Sequence, residues 1–348
     1  MSLLNSISSD NLFSNLEKKK EPKETANHML KLKDIPVVFL SYDEPNADEN
    51  FQFLLENHPN EEKVYRVHGV KGFDAAHKEA ARVANSPRFF TVDADCKIDR
   101  SIWTKSVELT PDIAEATLSW SSRNFVNGLV YGNGGVKLWY TKHVLNMRSH
   151  EAADPEDGRN NVDFCWDPEN YKQMNNTYGV VHNNSTPKQA FRAGFREGVK
   201  MGLDQGNKVP IIDFKHKMYP ANFARWLIWM SVGRDVENGA WVIYGARLAA
   251  WKLYVENFDH TVIADYDWFN QFWDQQTQLL AHGDYLESHS HRIMHELRAA
   301  LEIPLVELDA NQSIWFKHVH ISPNKGQGWP ALLNQSALPL YGFTLPKY

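Results

Sequence analysis

Phe89-Phe-Thr-Val-Asp-Ala-Asp-Cys96 decides the fold. Phe89 to Val92 form an unbroken aromatic and β-branched run, the pattern of a short buried strand. Asp93 and Asp95 follow at its C-terminal end, separated by one alanine. In an open α/β sheet that edge is where ligands bind. Two carboxylates so spaced can both reach one hard divalent cation and leave most of its coordination to phosphate oxygens. A cation held that way offsets charge developing on a departing diphosphate. An isolated Asp-x-Asp is as readily a solvated turn, so its neighbours must decide the matter.

Working outward, Val37–Ser41 reads as a buried strand. A polar loop follows, in which Asn46 and Asp48 can cap a helix carrying Phe51, Leu54 and Leu55. A second strand spans Tyr65–Val67, and a helix then presents Ala75, Ala76, Ala80, Ala81 and Ala84. Strand and helix in alternation imply βαβ units, an α/β class and a mostly parallel sheet. Ala116–Ser121, Gly135–Trp139 and Val162–Trp166 are further expected strands, the second preceded by the loop Gly132-Asn133-Gly134-Gly135. From Thr186 the character is helical, through TPKQAFRAGFREGVKM, YPANFARWLIWMSVG and ENGAWVIYGARLAAWKLYVEN. Pro187 suits a helix opening. Ser313–Ser322 reads as a returning strand. The implied organisation is an extension over 1–33, a sheet-containing core over 34–185, a helical region over 186–312, and a C-terminal strand and loop over 313–348.

The 348 residues are 43% hydrophobic and 23% charged, ample for a globular core. Two cysteines, Cys96 and Cys165, make no disulfide framework, and the N-terminus lacks a signal-peptide pattern, so a cytoplasmic protein is expected. The most apolar helical stretch, around Arg225–Val232, is too short for a bilayer, so no membrane partner is expected. Nothing points to an obligate protein partner. A net charge of −6 excludes a whole-surface basic coat but leaves room for a local basic groove. The 12 tryptophans and 15 histidines suit stacking on bases or sugars, although most tryptophans belong in a core.

VVFLSYDEPN, HGVKGFDAAHKEAARVANSPRFFTVDADC and the GNGG loop, taken in order over roughly residues 35–170, resemble the nucleotide-sugar-binding half of GT-A-fold glycosyltransferases. The resemblance implies a Mn²⁺ or Mg²⁺ ion and a UDP-sugar or GDP-sugar donor. Asp93 and Asp95 then serve the metal and ribose, Asp95 as the more direct ligand. Ser41, Tyr42, Asp43 and Glu44 fall where such enzymes hold base and ribose. Arg66, His68 and Lys71 come near the diphosphate, and Asn133, Gly134 and Gly135 near the sugar. HVHISPNKGQGWP is similar to the C-terminal segment of retaining, glycogenin-type members, which implies His318 or His320 as a metal ligand, Lys325 on the diphosphate, and Trp329 beside it. On a strand both histidines face one way.

AFRAGFREGVKM, ENGAWVIYGARLAAWKLYVEN and SYDEPNADENF also resemble proteins of T-even-like and other large tailed phages. Glycosyltransferases of such phages add glucose or arabinose to 5-hydroxymethylcytosine in viral DNA. Lys188, Arg192, Arg196 and Lys200 recur at helical spacing, with Lys215 and Lys217 beyond, a stripe that can track duplex phosphates or be a solvated helix face. Asp163, with Asp167 behind it, is the candidate general base for an acceptor hydroxyl. The expected activity is transfer of arabinose or glucose from a UDP-sugar to hydroxymethylated cytosine in DNA. A polysaccharide, lipid or protein acceptor, or a non-catalytic phage structural or sugar-binding module, are the alternatives.

Overall fold

The computed structural model describes residues 28–132, 135–147, 171–204, 206–280 and 285–320. In chain order the elements are β1 (His28–Lys31), β2 (Val37–Ser41), α1 (Ala47–Asn57), β3 (Val64–His68), α2 (Phe73–Ala84), β4 (Arg88–Asp93), β5 (Cys96–Ile98) and β6 (Ser106–Leu109). Next come β7 (Thr117–Asn124), β8 (Val136–Tyr140), α3 (Thr141–Asn146) and β9 (Tyr171–Val181). The helical half holds α4 (Pro187–Met201), the short β10 (Leu203–Asp204) and β11 (Asn207–Lys208), α5 (Phe214–Lys217), α6 (Pro220–Trp229), α7 (Gly239–Trp251), α8 (Tyr266–Leu280), α9 (Tyr285–Leu301) and α10 (Ala310–His320).

The α/β class holds. One seven-stranded sheet runs β3-β2-β4-β8-β7-β9-β5. Pairing is parallel at β2–β3, β2–β4 and β7–β9, and antiparallel at β4–β8, β7–β8 and β5–β9. β4 and β5 are separated by two residues yet stand four places apart in that order, so the sheet curls to receive β5 against β9. Parallel register sets Leu40 beside Asp93 and Ser41 beside His68, so these residues share one edge. The sheet is buried on both faces. Phe39, Phe90, Val92 and Trp120 pack on one side, and Phe89, Trp139 and the alanines of α2 on the other. The close-set Ala80, Ala81 and Ala84 let α2 lie against the strands, and Asn85 in the left-handed region ends the helix.

Two expectations change. The end of the supposed N-terminal extension is β1, which pairs antiparallel with β6, outside the large sheet. The segment from Ser313, expected as a returning strand, is part of helix α10. The expected strand over 162–166 lies outside the described residues, as do Asp163, Asp167 and Cys165. No helix among the described residues is long and apolar enough to cross a membrane.

The helical half is organised by a contact between backbones. A Cβ on Gly194 of α4 would stand 1.9 Å from the Val242 carbonyl oxygen of α7. One on Gly198 would meet the Ala246 carbonyl oxygen at 2.6 Å, and one on Gly245 the Phe191 carbonyl oxygen at 2.3 Å. Only hydrogen at these three positions allows the crossing. α4 is well started: Thr186 Oγ1 accepts from the Gln189 amide at 3.2 Å, Gln189 Oε1 accepts from the Ser185 amide at 2.9 Å, and Pro187 opens the first turn. Around the crossing, Phe191, Phe195, Trp226, Tyr244, Phe269 and Phe272 form an aromatic core. Most of the described tryptophans serve this core or the sheet, with Trp139, Trp226 and Trp229 wholly enclosed.

Arg247 of α7 is also enclosed. Its Nε donates to the Met230 carbonyl at 2.8 Å, and its Nη1 donates to Ser290 Oγ at 3.1 Å and to Glu307 Oε2 at 2.8 Å. Arg234 shares Glu307 at 2.6 Å. Burial pushes the Glu307 carboxyl up, but Arg247 and Arg234 together hold it below the usual glutamate range.

Gly194→Ala is expected to cost more than about 2 kcal/mol of stability, or to prevent folding, as read by urea unfolding. Glu307→Gln leaves a buried guanidinium without its counter-charge and is expected to cost about 2–4 kcal/mol. Because the Glu307 pKa is depressed on folding, its stabilisation is complete above the unfolded-state pKa and disappears as pH falls through the folded one. Wild type and Glu307→Gln should therefore converge in thermal midpoint in acid.

Candidate functional site

Asp93 is the last residue of β4, and Asp95 stands at the turn into β5. The backbone between them is held from three sides. The Asp93 amide donates to the Gly135 carbonyl at 2.9 Å, Asn50 Nδ2 to the Ala94 carbonyl at 2.7 Å, and the His182 amide to the Asp95 carbonyl at 2.6 Å. Gly135 lies so close that a Cβ there would stand 3.0 Å from Cys96 Cβ and 3.2 Å from Asp93 Cβ. The glycine of the GNGG loop nearest to β8 is thus pressed onto Asp93 and Cys96. Asn133 and Gly134 lie outside the described residues.

The electrostatics are those of crowded like charge. Burial, then the neighbouring Asp93 and Glu44 carboxylates, push the Asp95 carboxyl up to about 7, while Arg192 pulls the other way. Burial and the same aspartates push the Cys96 thiol up, which leaves it an inert packing group. On the β8 strand Lys137 is buried, paired in register with Thr91, and near enough to act on both His77 and Cys96. His77 stacks on Phe73 at 3.9 Å and edges onto Trp139 at 5.1 Å, and burial lowers its pKa to about 4.

Arg66 does not reach out as expected of a diphosphate ligand. Its Nε donates to Ser41 Oγ at 2.9 Å, its Nη1 bonds Asp48 at 2.6 Å, and its plane lies over Phe51 at 5.4 Å. Ser41 Oγ in turn meets His68 Nδ1 at 3.0 Å. This chain fixes the ends of β2 and β3. Tyr42 follows, its amide donating to Glu44 Oε2 at 2.7 Å, and Asp43 is exposed beside it. Lys71 extends from the loop after β3 to Asp267 Oδ2 at 3.3 Å, an exposed pair that contributes little energy but marks where α8 meets the loop.

The helical half therefore closes this edge of the sheet. Tyr266 of α8 faces Tyr42, ring centroids 5.8 Å apart, and Arg192 of α4 lies 3.9 Å over the Tyr266 ring. Asn46 joins the halves: its Nδ2 donates to the His182 carbonyl at 2.8 Å, and its Oδ1 accepts from Gln189 of α4 at 3.2 Å. Tyr266, Asp267 and Lys137 carry no expected role from sequence. Two signals pointed to them: a second Asp-x-Asp at Asp265–Asp267, and a lysine inside the otherwise apolar strand VKLWY.

The basic stripe of α4 is divided. Arg192 turns to Asp95 and Tyr266. Lys200 pairs with Glu197 at 3.1 Å, and Glu197 also accepts from the Tyr131 hydroxyl. Lys188 and Arg196 are half-buried. Lys217 pairs with Asp213 at 2.8 Å. The side chain of Lys215 lies outside the described residues.

The segment that carries His318 is helical, so the shared face expected of a strand does not apply to it. His318 is exposed, and among the described residues no three His, Cys, Asp or Glu side chains gather as a metal cage. The His320 side chain, Lys325 and Trp329 lie outside the described residues. Two carboxylates without a third side-chain ligand still fit a hard divalent cation whose other ligands are phosphate oxygens and water.

No protein family matches the chain, and no curated protein sequence does. Among solved structures, the chain is similar to a glycosyltransferase involved in glycosylation of the major capsid of PBCV-1, at 14% identity and a TM-score of 0.21. That match covers 31% of this chain and 62% of the other.

Asp95→Asn removes a like charge from a crowded, partly buried cluster. In metal-free buffer it is expected to raise stability by about 1 kcal/mol, seen as a higher thermal midpoint, while wild type alone gains further from added Mn²⁺.

Proposed function

We propose that this chain is a metal-dependent glycosyltransferase drawing its sugar from a nucleoside-diphosphate donor. The observation that carries the reading is the pair Asp93 and Asp95 at the C-terminal end of β4, with Gly135 against Asp93, and with Glu44 of the loop after β2 and Arg192 of the helical half near enough for their charges to act on Asp95. Such an edge is the ordinary ligand site of an α/β sheet. The crowding of carboxylates is unfavourable by itself and is relieved by a bound cation.

Asp95 and Asp93 would hold the ion, which supplies charge stabilisation to a leaving diphosphate. Tyr42, with Tyr266 opposite, offers aromatic surface to a nucleobase, and Asp43 and Glu44 offer acceptors to ribose hydroxyls. Lys71, exposed on the loop after β3, can leave Asp267 for a phosphate oxygen at small cost, since surface pairs are weak. Asp163 or Asp167 is the proposed base for the acceptor hydroxyl. As acceptor we propose 5-hydroxymethylcytosine in phage DNA, taking glucose or arabinose from UDP. This is supported by the phage-like segments after residue 186 and by Lys188 and Arg196 of α4. A modified base in duplex DNA must be reached through the major groove or flipped out.

The test combines full-length protein, Mn²⁺, UDP-glucose or UDP-arabinose, and duplex DNA with or without 5-hydroxymethylcytosine, with mass spectrometry of the digested nucleosides. The expected result is a hexose or pentose on the modified nucleoside alone, reduced about 100-fold or more by Asp95→Asn. Donor turnover without DNA modification, or transfer to a polysaccharide, lipid or protein hydroxyl, discards the DNA acceptor. No turnover of any donor favours a non-catalytic scaffold.

A further inference from the structure

Half-buried Arg192 differs from the enclosed Arg88 and Arg247. Arg88 donates to the carbonyls of Ala116 and Ala114 at 2.9 and 2.6 Å, and Arg247 is met by a carbonyl, a hydroxyl and a carboxylate. Arg192 lies on aromatic faces, 3.9 Å from the Tyr266 centroid and 5.7 Å from that of Phe269. Its Nε is buried with no hydrogen-bond partner, a state shared by the Nε atoms of Arg196, Arg225 and Arg234; what Arg192 adds is its place beside the Asp95 carboxylate. Placing a guanidinium donor out of water unsatisfied is unfavourable unless a ligand completes it. The group is also close enough to Asp95 for their charges to interact. A planar fork of donors and a carboxylate pair suited to a cation, close enough for their charges to interact, are the two partners that a diphosphate oxyanion with its cation requires.

We infer that Arg192 binds the diphosphate of the nucleotide donor, with Tyr266 as the platform that orients its guanidinium. The inference rests on the nucleotide-sugar reading above and assigns to that site a cation from the helical half. It removes Arg192 from the DNA-tracking stripe. Donor binding then joins α4 to the sheet edge through the phosphates.

The test is calorimetric titration of the full-length protein with UDP in Mn²⁺, with GDP, CDP and ADP in parallel, and ligand-detected NMR with the matching nucleoside. Arg192→Gln is expected to weaken the nucleoside diphosphate about tenfold or more and to leave the nucleoside within about twofold. Arg192→Lys, which keeps the charge but not the fork, should fall between them. Unchanged diphosphate affinity in both variants overturns the inference and leaves the glycosyltransferase reading standing. Equal loss of diphosphate and nucleoside assigns Arg192 a structural role and also overturns it. Wild type that binds no nucleoside diphosphate overturns both. The thermal midpoint of each variant identifies one that has not folded, in which case the other carries the comparison.

Discussion

The bare contact between α4 and α7 is the constraint on which the rest depends. Gly194, Gly198 and Gly245 bring the two backbones to a separation that no side chain permits. That closeness fixes the axial position and rotation of α4. With α4 fixed, its aromatic residues enter the core and Arg192 is delivered to the opposite side, over Tyr266 and towards Asp95. The sheet supplies a carboxylate edge, but the wall facing it exists only because two helices touch without side chains between them. Asn46 and the short bonds around His182 complete the joint.

Much of the sheet was legible because its strands are buried on both faces and therefore read as continuous apolar runs, as at Val37–Ser41 and Phe89–Val92. The helices over 187–201, 220–229 and 239–251 were legible from their length, and the first also from Pro187 at its start. β9 was not. YKQMNNTYGVV is polar through most of its length, and its residues are largely half-buried or exposed, so no hydrophobic period marks it. It is specified by its partners β7 and β5. α10 was misread for the opposite reason: IWFKHVH alternates large apolar and polar groups and has strand-forming residues, but Phe316 and Ser313 are drawn into the helical core. Tertiary burial overrides local preference there.

The site was legible in part for a similar reason. Asp93 and Asp95 sit at the end of a strong strand signal. Their surroundings come from distant segments: Gly135 across the β4–β8 pair, Arg192 from α4, and Tyr266 and Asp267 from α8. A regular i, i+4 spacing of basic residues shows only that they share a helix side. Whether that side meets water, a glutamate such as Glu197, or the acidic edge of a sheet is decided by how the helix docks. Arg66 shows the same limit, since its place at the edge is consumed by Ser41 and Asp48.

The turn from β4 to β5 leaves no slack in the chain. Asp93, Ala94 and Asp95 are each gripped through the backbone by a different element, and the strands they join lie on distant parts of a curled sheet. A residue inserted or deleted there would break the hydrogen bonds to Gly135, Asn50 and His182 together. The motif is therefore closed to variation in length, and any divergence in what the site accepts has to come from the side chains that surround an immobile pair of carboxylates.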